Sequence, residues 1–161
     1  MKRLTHIDAR GEARMVDVSH KPVVRREAVA SGEIRVQRAT LALIASNRIA
    51  KGNVLAAARL AGIQAAKKTG DLIPLCHPLL ISHCEVLFEI PKSRDRILIT
   101  ASAKIAAQTG VEMEALTAVT LAALTIYDMC KAVDKRMTIS RVKLVSKTKR
   151  ETRQAVRKPR T

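Results

Sequence analysis

The sequence predicts an α+β fold, in which a ferredoxin-like antiparallel sheet has its helices packed on one face. Apolar and polar residues alternate over residues 86–90 and 97–105, and the turn-forming PKSRD between them predicts a β-hairpin. Two long segments with helical apolar spacing follow Asn53 and Gly110. The resulting order of strand, helices, two strands, helix and strand suits a split βαβ arrangement.

The first half of the chain supplies one strand and two helices. In residues 33–37, Ile34 and Val36 lie on one face and polar residues on the other, which predicts a strand. A short helix follows over residues 39–47. Asn53 is a suitable N-cap for a second helix, which we expect to end at Gly70.

The second half supplies the hairpin, a long helix and a last strand. The long helix is expected to follow Gly110 and to run to about residue 133, and the last strand is expected over residues 137–144. Small and apolar residues cover most of the helix surface, so it is predicted to be buried on several sides. Its main apolar stripe consists of Leu116, Val119, Ala123, Ile126 and Cys130.

Length and charge predict one domain with a basic tail. The chain has 161 residues, enough for one domain with a proper core, which we place at residues 1–146. The net charge is +16, and residues 141–161 hold nine Lys or Arg against one acid, Glu151. Apolar residues also become rare there, so residues 147–161 are predicted to be a disordered basic tail.

Three features favour a cytoplasmic protein without a membrane span. The start, MKRLTHIDAR, lacks the apolar region of a secretory signal. The longest weakly polar run, residues 115–127, falls short of the ~20 residues that cross a bilayer. The three cysteines lack CxxC spacing, which fits free thiols in a reducing compartment.

The loop GDLIPLCHPLL, residues 70–80, is the first candidate for a site. Pro74 and Pro78 restrict its backbone, so Cys76 and His77 are expected to lie in a stiff connection. A stiff loop that presents an imidazole is a common way to build a binding site.

The charges on the long helix are the second candidate. Glu112 and Glu114 lie in its first turn, and Asp128 and Lys131 lie near its end on one face. Each pair has a simple alternative: acids that favour the helix dipole, and a surface ion pair worth about 0.3–0.5 kcal/mol. Asp128 lies about 200° around the helix from Ile126, so we expect it to face a second buried or half-buried surface.

The length of this helix predicts a site shared by two protomers. Sixteen positions separate Glu112 from Asp128, which is about 24 Å at 1.5 Å per residue. One helix cannot bring both side chains to one small ligand. If both serve one site, that site lies between subunits, and the protein is an obligate oligomer.

Two further groups of residues are of types that bind phosphate or metal ions. Lys51 precedes the Asn53 helix start and could hold a phosphate there, although these residues alone favour a solvated loop lysine. Cys76, His77, His83 and Cys84 lie close together, but their adjacent pairs diverge, unlike the ligand spacing of zinc sites. We therefore expect no metal.

The chain contains the segments KGNVLAAARLAGIQAAKKTGDLIPLCHPLL (residues 51–80), TGVEMEALTAVTLAALTIYDMCKAVDK (residues 109–135) and THIDARGEARMVDVS (residues 5–19). These three segments closely resemble the MoaC family, the cyclic pyranopterin monophosphate synthases of molybdenum cofactor biosynthesis. The resemblance covers about residues 5–145, and the two longer motifs are highly specific. The tail beyond about residue 146 matches no motif.

The resemblance implies a lyase that converts 3′,8-cyclo-7,8-dihydro-GTP, supplied by a radical SAM enzyme, to cyclic pyranopterin monophosphate and pyrophosphate. It implies no resident cofactor and leaves open whether Mg²⁺ accompanies the triphosphate. It further implies a homo-hexamer, a trimer of dimers with active sites at the dimer interfaces. The matching catalytic positions are Asp128, Lys51 and Lys131, and the matching substrate-binding positions are Leu75, Cys76, His77, Glu112, Met113 and Glu114.

That reaction needs acids, bases and cations at one place, because it combines several proton transfers with a pyrophosphate leaving group. We assign Asp128 as a general base or acid, Lys131 as the group that tunes its pKa, and Lys51 as a proton donor or phosphate ligand. His77 and the backbone near Leu75 would contact substrate. Glu112 and Glu114 could read donor groups of the guanine-derived ring.

A basic nucleic-acid-binding module is the alternative hypothesis. Its support is the net charge of +16. Against it, the only aromatic residues are Phe88 and Tyr127, which form no stacking platform, and the basic residues concentrate in the tail.

Overall fold

The fold is a four-stranded sheet with helices packed against it, and the computed structural model describes residues 10–151. In chain order the elements are β1 (Val24–Arg35), α1 (Arg38–Ala45), α2 (Val54–Lys67), α3 (Thr69–Leu72), β2 (His83–Glu89), β3 (Arg96–Ala107), α4 (Glu112–Cys130) and β4 (Thr138–Arg150). The strand order is β2-β3-β1-β4, and each neighbouring pair is antiparallel. The predicted α+β class and the predicted hairpin of β2 and β3 are confirmed.

The alternation that predicted β3 reflects a sheet with one covered face. The alternate residues Ile97, Ile99, Ala101, Ala103 and Ile105 are all buried beneath the helices. The intervening side chains, from Leu98 to Lys104, point to the open face of the sheet. The period of two in the sequence therefore reports which face the helices cover.

Helix α4 packs on the covered face of the sheet beside α2, and α2 contacts the same face at β2. The α4 stripe of Val119, Ala123, Ile126 and Cys130 is fully buried. A Cβ on Gly62 of α2 would lie 2.8 Å from the carbonyl oxygen of Ala118, so this glycine allows the two helices to cross closely. By length and composition α4 resembles a membrane span, but slightly more than half of it is buried inside the domain.

The turn after α4 is tied to α1 by one buried carboxylate. Asp134 is 1% exposed and accepts hydrogen bonds from Gln37 N at 2.7 Å, Gln37 Nε2 at 2.8 Å, Arg136 N at 3.0 Å and Thr40 Oγ1 at 3.1 Å. Burial opposes its ionisation, yet these bonds outweigh burial and lower its pKa. The carboxylate therefore fixes where α4 ends relative to the start of α1.

Several predicted boundaries were wrong. β1 begins at Val24, nine residues before the predicted start, because VRREAVASG shows no clean alternation in sequence yet pairs with both β3 and β4. α2 does begin after Asn53, whose Oδ1 accepts from Ala56 N at 2.9 Å, but it ends at Lys67. Gly70 lies inside α3 instead of ending α2. α4 ends at Cys130, three residues before the predicted end.

The predicted start of the disordered tail, residue 147, falls inside strand β4. Lys147, Lys149 and Arg150 pair in register with Ala28, Arg26 and Arg25 of β1. Backbone pairing at a sheet edge does not require apolar side chains. The scarcity of apolar residues after about residue 144 was therefore a wrong signal for the end of the strand, and the predicted tail began too early. The remainder of the predicted tail, residues 152–161, lies outside the described residues, as does the start of the 5–19 motif.

Candidate functional site

The Pro-bounded loop and the start of α4 meet around a cavity of about 340 Å³, called here the acid–imidazole pocket. All six predicted substrate-binding residues line this pocket: Leu75, Cys76, His77, Glu112, Met113 and Glu114. The other lining residues are Val16, Val18, Lys21, Leu79, Thr109 and Gly110. Two segments that are more than 30 positions apart in the sequence therefore form one concave, mixed polar and apolar site.

The loop that carries His77 is held from two sides. A Cβ on Gly70 would lie 2.9 Å from Pro78 Cα and 3.2 Å from Pro78 N, so only glycine allows this approach. On the other side, His77 Nε2 lies 2.8 Å from the carbonyl oxygen of Val16. Because a carbonyl oxygen only accepts, Nε2 donates in this contact, and in a neutral imidazole Nδ1 is then the acceptor.

Glu112 enters the pocket as an ion-paired carboxylate. Its Oε1 lies 3.1 Å from Lys147 Nζ of β4. A Cβ on Gly110 would overlap with the Glu112 carboxylate, so the glycine leaves the space that this group occupies. Lys147 thus belongs to the surroundings of the pocket, although the sequence placed it in the tail.

Glu114 is the buried acid of the pocket. It is 3% exposed, and within residues 10–151 its Oε2 has no hydrogen-bond partner. Burial raises the pKa of Glu114, its own backbone N–H lowers it by a smaller amount, and the negative charge of Glu112 raises it further. Burial and then the nearby Glu114 raise the pKa of the Cys76 thiol, so this cysteine is a poor thiolate.

A second group of predicted residues, the lysine–aspartate cluster, consists of Lys51, Asp128 and Lys131. Lys51 Nζ lies 2.7 Å from Asp128 Oδ2 and 3.0 Å from the Asp128 carbonyl oxygen, and Lys131 Nζ lies 2.8 Å from Asp128 Oδ1. Lys131 first and Lys51 second lower the pKa of Asp128 to about 2. Asp128 also raises the pKa of Lys131. The cluster is therefore a carboxylate held between two ammonium groups.

The expectation that Asp128 faces a buried surface is wrong for the single chain. The Asp128 side chain is 55% exposed, and both lysines are about half exposed. The face of α4 away from the sheet also carries exposed Leu124 and Met113. This face of the helix is apolar, but no other part of its own chain covers it. The prediction from composition therefore overestimated how much of α4 is buried in the single chain.

The single chain does not bring the pocket and the cluster together. Glu112 begins α4 and Asp128 lies in its last turn, about 24 Å away at 1.5 Å per residue. Glu112 and Asp128 are therefore as far apart in the folded chain as the sequence predicted. A site that uses both groups requires two chains.

A larger cavity of about 590 Å³ lies on the open face of the sheet and contains none of the predicted site residues. Its buried acid, Glu33, is satisfied by Arg96 Nη1 at 3.0 Å and Ser140 Oγ at 3.1 Å. Such a paired network is what a structural ion cluster requires. We therefore place the candidate site at the smaller acid–imidazole pocket.

Of the unpredicted residues in or beside the pocket, four lie outside the Pro-bounded loop and the start of α4. Val16, Val18 and Lys21 come from a segment without regular secondary structure, and Lys147 comes from the far end of an edge strand. No local periodicity connects these positions to the Pro-bounded loop. In the part of the chain that the structure describes, no group of three or more His, Cys, Asp and Glu is placed to hold a metal ion.

Comparisons with known proteins agree on one family. Residues 15–150 match the MoaC family model. A protein of Parvibaculum lavamentivorans named cyclic pyranopterin monophosphate synthase is 57% identical over 147 residues, which covers 91% of this chain and 92% of that protein. Proteins with the same name from Pelotomaculum thermopropionicum and Chloroflexus aurantiacus are 56% and 58% identical, covering 92% and 89% of this chain and 87% and 88% of those proteins.

Proposed function

The chain belongs to the MoaC family, and we propose that it is a cyclic pyranopterin monophosphate synthase, a lyase of molybdenum cofactor biosynthesis. Its substrate would be 3′,8-cyclo-7,8-dihydro-GTP, and its products cyclic pyranopterin monophosphate and pyrophosphate. The observation that carries the proposal is the convergence of six predicted substrate-binding residues on one pocket. The name shared by relatives at 56–58% identity supports the same reaction.

The acid–imidazole pocket has the chemistry to bind a guanine-derived ring. Glu112 supplies acceptor oxygens for ring N–H groups, and Glu114 supplies a second carboxyl. His77 is oriented by the Val16 carbonyl, so Nδ1 is the ring nitrogen left to contact substrate. Met113 and Leu75 supply the apolar surface that a ring face requires.

The lysine–aspartate cluster has the chemistry to manage the phosphates. Forming the cyclic phosphate joins a hydroxyl oxygen to the inner phosphorus and breaks the bond from that phosphorus to the pyrophosphate oxygen. The hydroxyl proton must leave, and the leaving group must be stabilised as an anion. Asp128 is ionised at neutral pH and can accept a proton, while Lys51 and Lys131 offer two positive charges to the leaving pyrophosphate.

The proposed active site is assembled from two chains of a homo-hexamer arranged as a trimer of dimers. The pocket of one protomer would adjoin the lysine–aspartate cluster of its neighbour. The distance between the two groups along α4 supports this arrangement, as does the exposure of Asp128 in the single chain. We further propose a cytoplasmic location, a radical SAM enzyme as supplier of the substrate, and no resident cofactor, with any Mg²⁺ arriving on the triphosphate.

Release of pyrophosphate in a single turnover tests the proposal. The substrate is prepared enzymatically and mixed with excess native protein, Asp128→Asn or Lys51→Ala. We expect release by the native protein and a loss of at least about a hundredfold in either variant, as expected for a group used in proton transfer or charge stabilisation. Lys104→Ala is the matched control, because Lys104 is also half exposed and ion-paired, to Glu27, but lies on the open face of the sheet.

Two outcomes would contradict the proposal. Native protein that is folded and oligomeric but releases no pyrophosphate would exclude the synthase activity. Equal losses in Lys104→Ala and Lys51→Ala would mean that overall charge, and not the cluster, controls the rate. The nucleic-acid-binding alternative receives no support from the relatives, whose shared name describes a synthase.

A further inference from the structure

The two acids at the start of α4 are two positions apart and line the same pocket, yet their surroundings differ. Glu112 has a cation at 3.1 Å, Lys147, and its side chain is about one quarter exposed. Glu114 is 3% exposed, and no ion pair to it is present within residues 10–151. Such a difference in surroundings is how two carboxyl groups in one site acquire different roles.

The unpaired Oε2 of Glu114 is the decisive observation. A buried carboxylate oxygen without a partner is strongly unfavourable, whereas a neutral carboxylic acid is far less so. Glu33 shows the contrast in the same chain, because it is 5% exposed but bonded to Arg96 and Ser140. Those bonds outweigh burial and lower the pKa of Glu33, while burial raises the pKa of Glu114.

The charged and titratable groups around Glu114 come from five segments. Glu112 precedes it on α4, Cys76 and His77 face it from the loop, and Lys21 lines the pocket from the N-terminal segment. On its other side Glu114 lines a second cavity of about 200 Å³ with Lys67 and Asp71. None of these groups forms a hydrogen bond with Oε2.

We propose that Glu112 and Glu114 act in opposite protonation states, Glu112 as a carboxylate and Glu114 as a neutral acid that donates its proton in a hydrogen bond to the ligand. The pocket would then offer acceptor oxygens and one O–H donor side by side. Their natural complement is a ring with a lactam edge, in which an N–H donor lies beside a carbonyl acceptor. The identity of this ligand rests on the proposed function, whereas the protonation state does not.

The consequence is a pH dependence of binding with a defined direction. Because the pKa of Glu114 is raised in the fold, its proton is retained at pH values where an exposed glutamate is ionised. Raising the pH through that pKa removes the donor and leaves a second negative charge beside Glu112. Ligand binding that needs the proton should therefore weaken by up to about tenfold per pH unit above the midpoint.

The first experiment measures the protonation state without any ligand. Infrared spectra of the native oligomer are recorded across pH with ¹³C-labelled glutamate, and the carbonyl band of a protonated carboxylic acid is followed. The chain has eight glutamates, so substitution can assign the band. We expect a band that persists above the pH range in which exposed glutamates ionise, disappears in Glu114→Gln and remains in Glu112→Gln and in the buried control Glu33→Gln.

The second experiment measures binding of GTP, which carries the lactam edge but not the reactive ring. For the native oligomer we expect the GTP affinity to fall above the midpoint of the infrared band. For Glu114→Gln we expect an affinity that does not change over the same pH range, because an amide donates at any pH. Glu112→Gln should weaken GTP binding by at least about tenfold, the usual loss when a hydrogen bond to a charged group is removed.

Each result decides a separate part of the inference. A native protein with no protonated glutamate above the pH range in which exposed glutamates ionise would overturn the assignment of Glu114. Two outcomes would overturn the donor role even if the band is present. In one, the GTP affinity has the same pH dependence in the native protein and in Glu114→Gln. In the other, GTP does not bind. Failure of pyrophosphate release with the band intact would instead count against the proposed function alone.

Discussion

Mixing two inactive variants tests the two-chain active site directly. One variant carries Glu112→Gln in the acid–imidazole pocket, and the other carries Asp128→Asn in the lysine–aspartate cluster. The two positions lie about 24 Å apart along α4, which exceeds the reach of one small ligand. If each site takes its pocket from one chain and its cluster from the other, a mixed dimer contains one doubly altered site and one intact site.

The expected recovery follows from random pairing. Half of the dimers in an equal mixture are mixed, and half of the sites in those dimers are intact, so activity should return to about a quarter of the native value for a two-fold interface. The assay is pyrophosphate release after the two proteins are unfolded and refolded together. Each variant refolded alone is the control, and both should remain inactive.

Absence of recovery would refute the reasoning, provided that mixed oligomers are detected by mass. The intact site would then lie within one chain, and one of the two groups would have no role in the reaction. Recovery in a sample that was mixed without refolding would show that subunits exchange freely. That result would still support the two-chain site.

Three further outcomes follow from particular contacts. Gly70→Ala should displace Pro78, weaken substrate binding and destabilise the fold by about 1–3 kcal/mol through overpacking. Gly62→Ala should destabilise the fold by a similar amount and leave substrate binding unchanged. Thermal unfolding and substrate affinity are measured for both variants, and equal losses of binding would contradict this account. Asp134→Ala should lower the free energy of unfolding by on the order of 3 kcal/mol, because four hydrogen bonds lose their acceptor. Urea titrations measure this change, and a loss below about 1 kcal/mol would contradict the structural role of Asp134. The pKa of Asp128 is lowered to about 2, so its ion pairs stabilise the fold above the ordinary aspartate range and are lost only as pH falls towards 2. The rate of pyrophosphate release should therefore show no loss from protonation of Asp128 between about pH 5 and 7. If the native rate did fall in this range and the residual rate of Asp128→Asn did not, this ionisation state would be excluded.

The fold was predictable where burial imposes a period on the sequence. β3 alternates because one face of it lies under the helices, and α2 begins at Asn53 because the side chain caps the first turn. β1 and β4 were predicted too short because much of their length is defined by backbone pairing. At the edge of the sheet, the backbones of lysines and arginines pair as well as those of apolar residues do. Most of β4 is exposed, so its sequence shows no alternation of apolar and polar residues that would reveal the strand.

The site was predictable where chemistry is local, and not where it depends on distant pairing. The loop with His77 and the acids of α4 are each recognisable within a few residues, and the structure brings them to one pocket. Lys147 and Val16 were missed, because their positions follow from the register of β4 and from the path of an irregular segment. Neither property is encoded within a short window.

The register of β4 also explains why the two acids of α4 differ. The pairing of Lys147 with Ala28 in β1 brings the lysine ammonium to Glu112, which lies in the first turn of α4. Glu114 lies two residues further along the helix, on a face that turns about 200° away at 100° per residue, and no strand supplies a cation there. The difference in surroundings between the two acids thus follows from helix geometry and sheet register together.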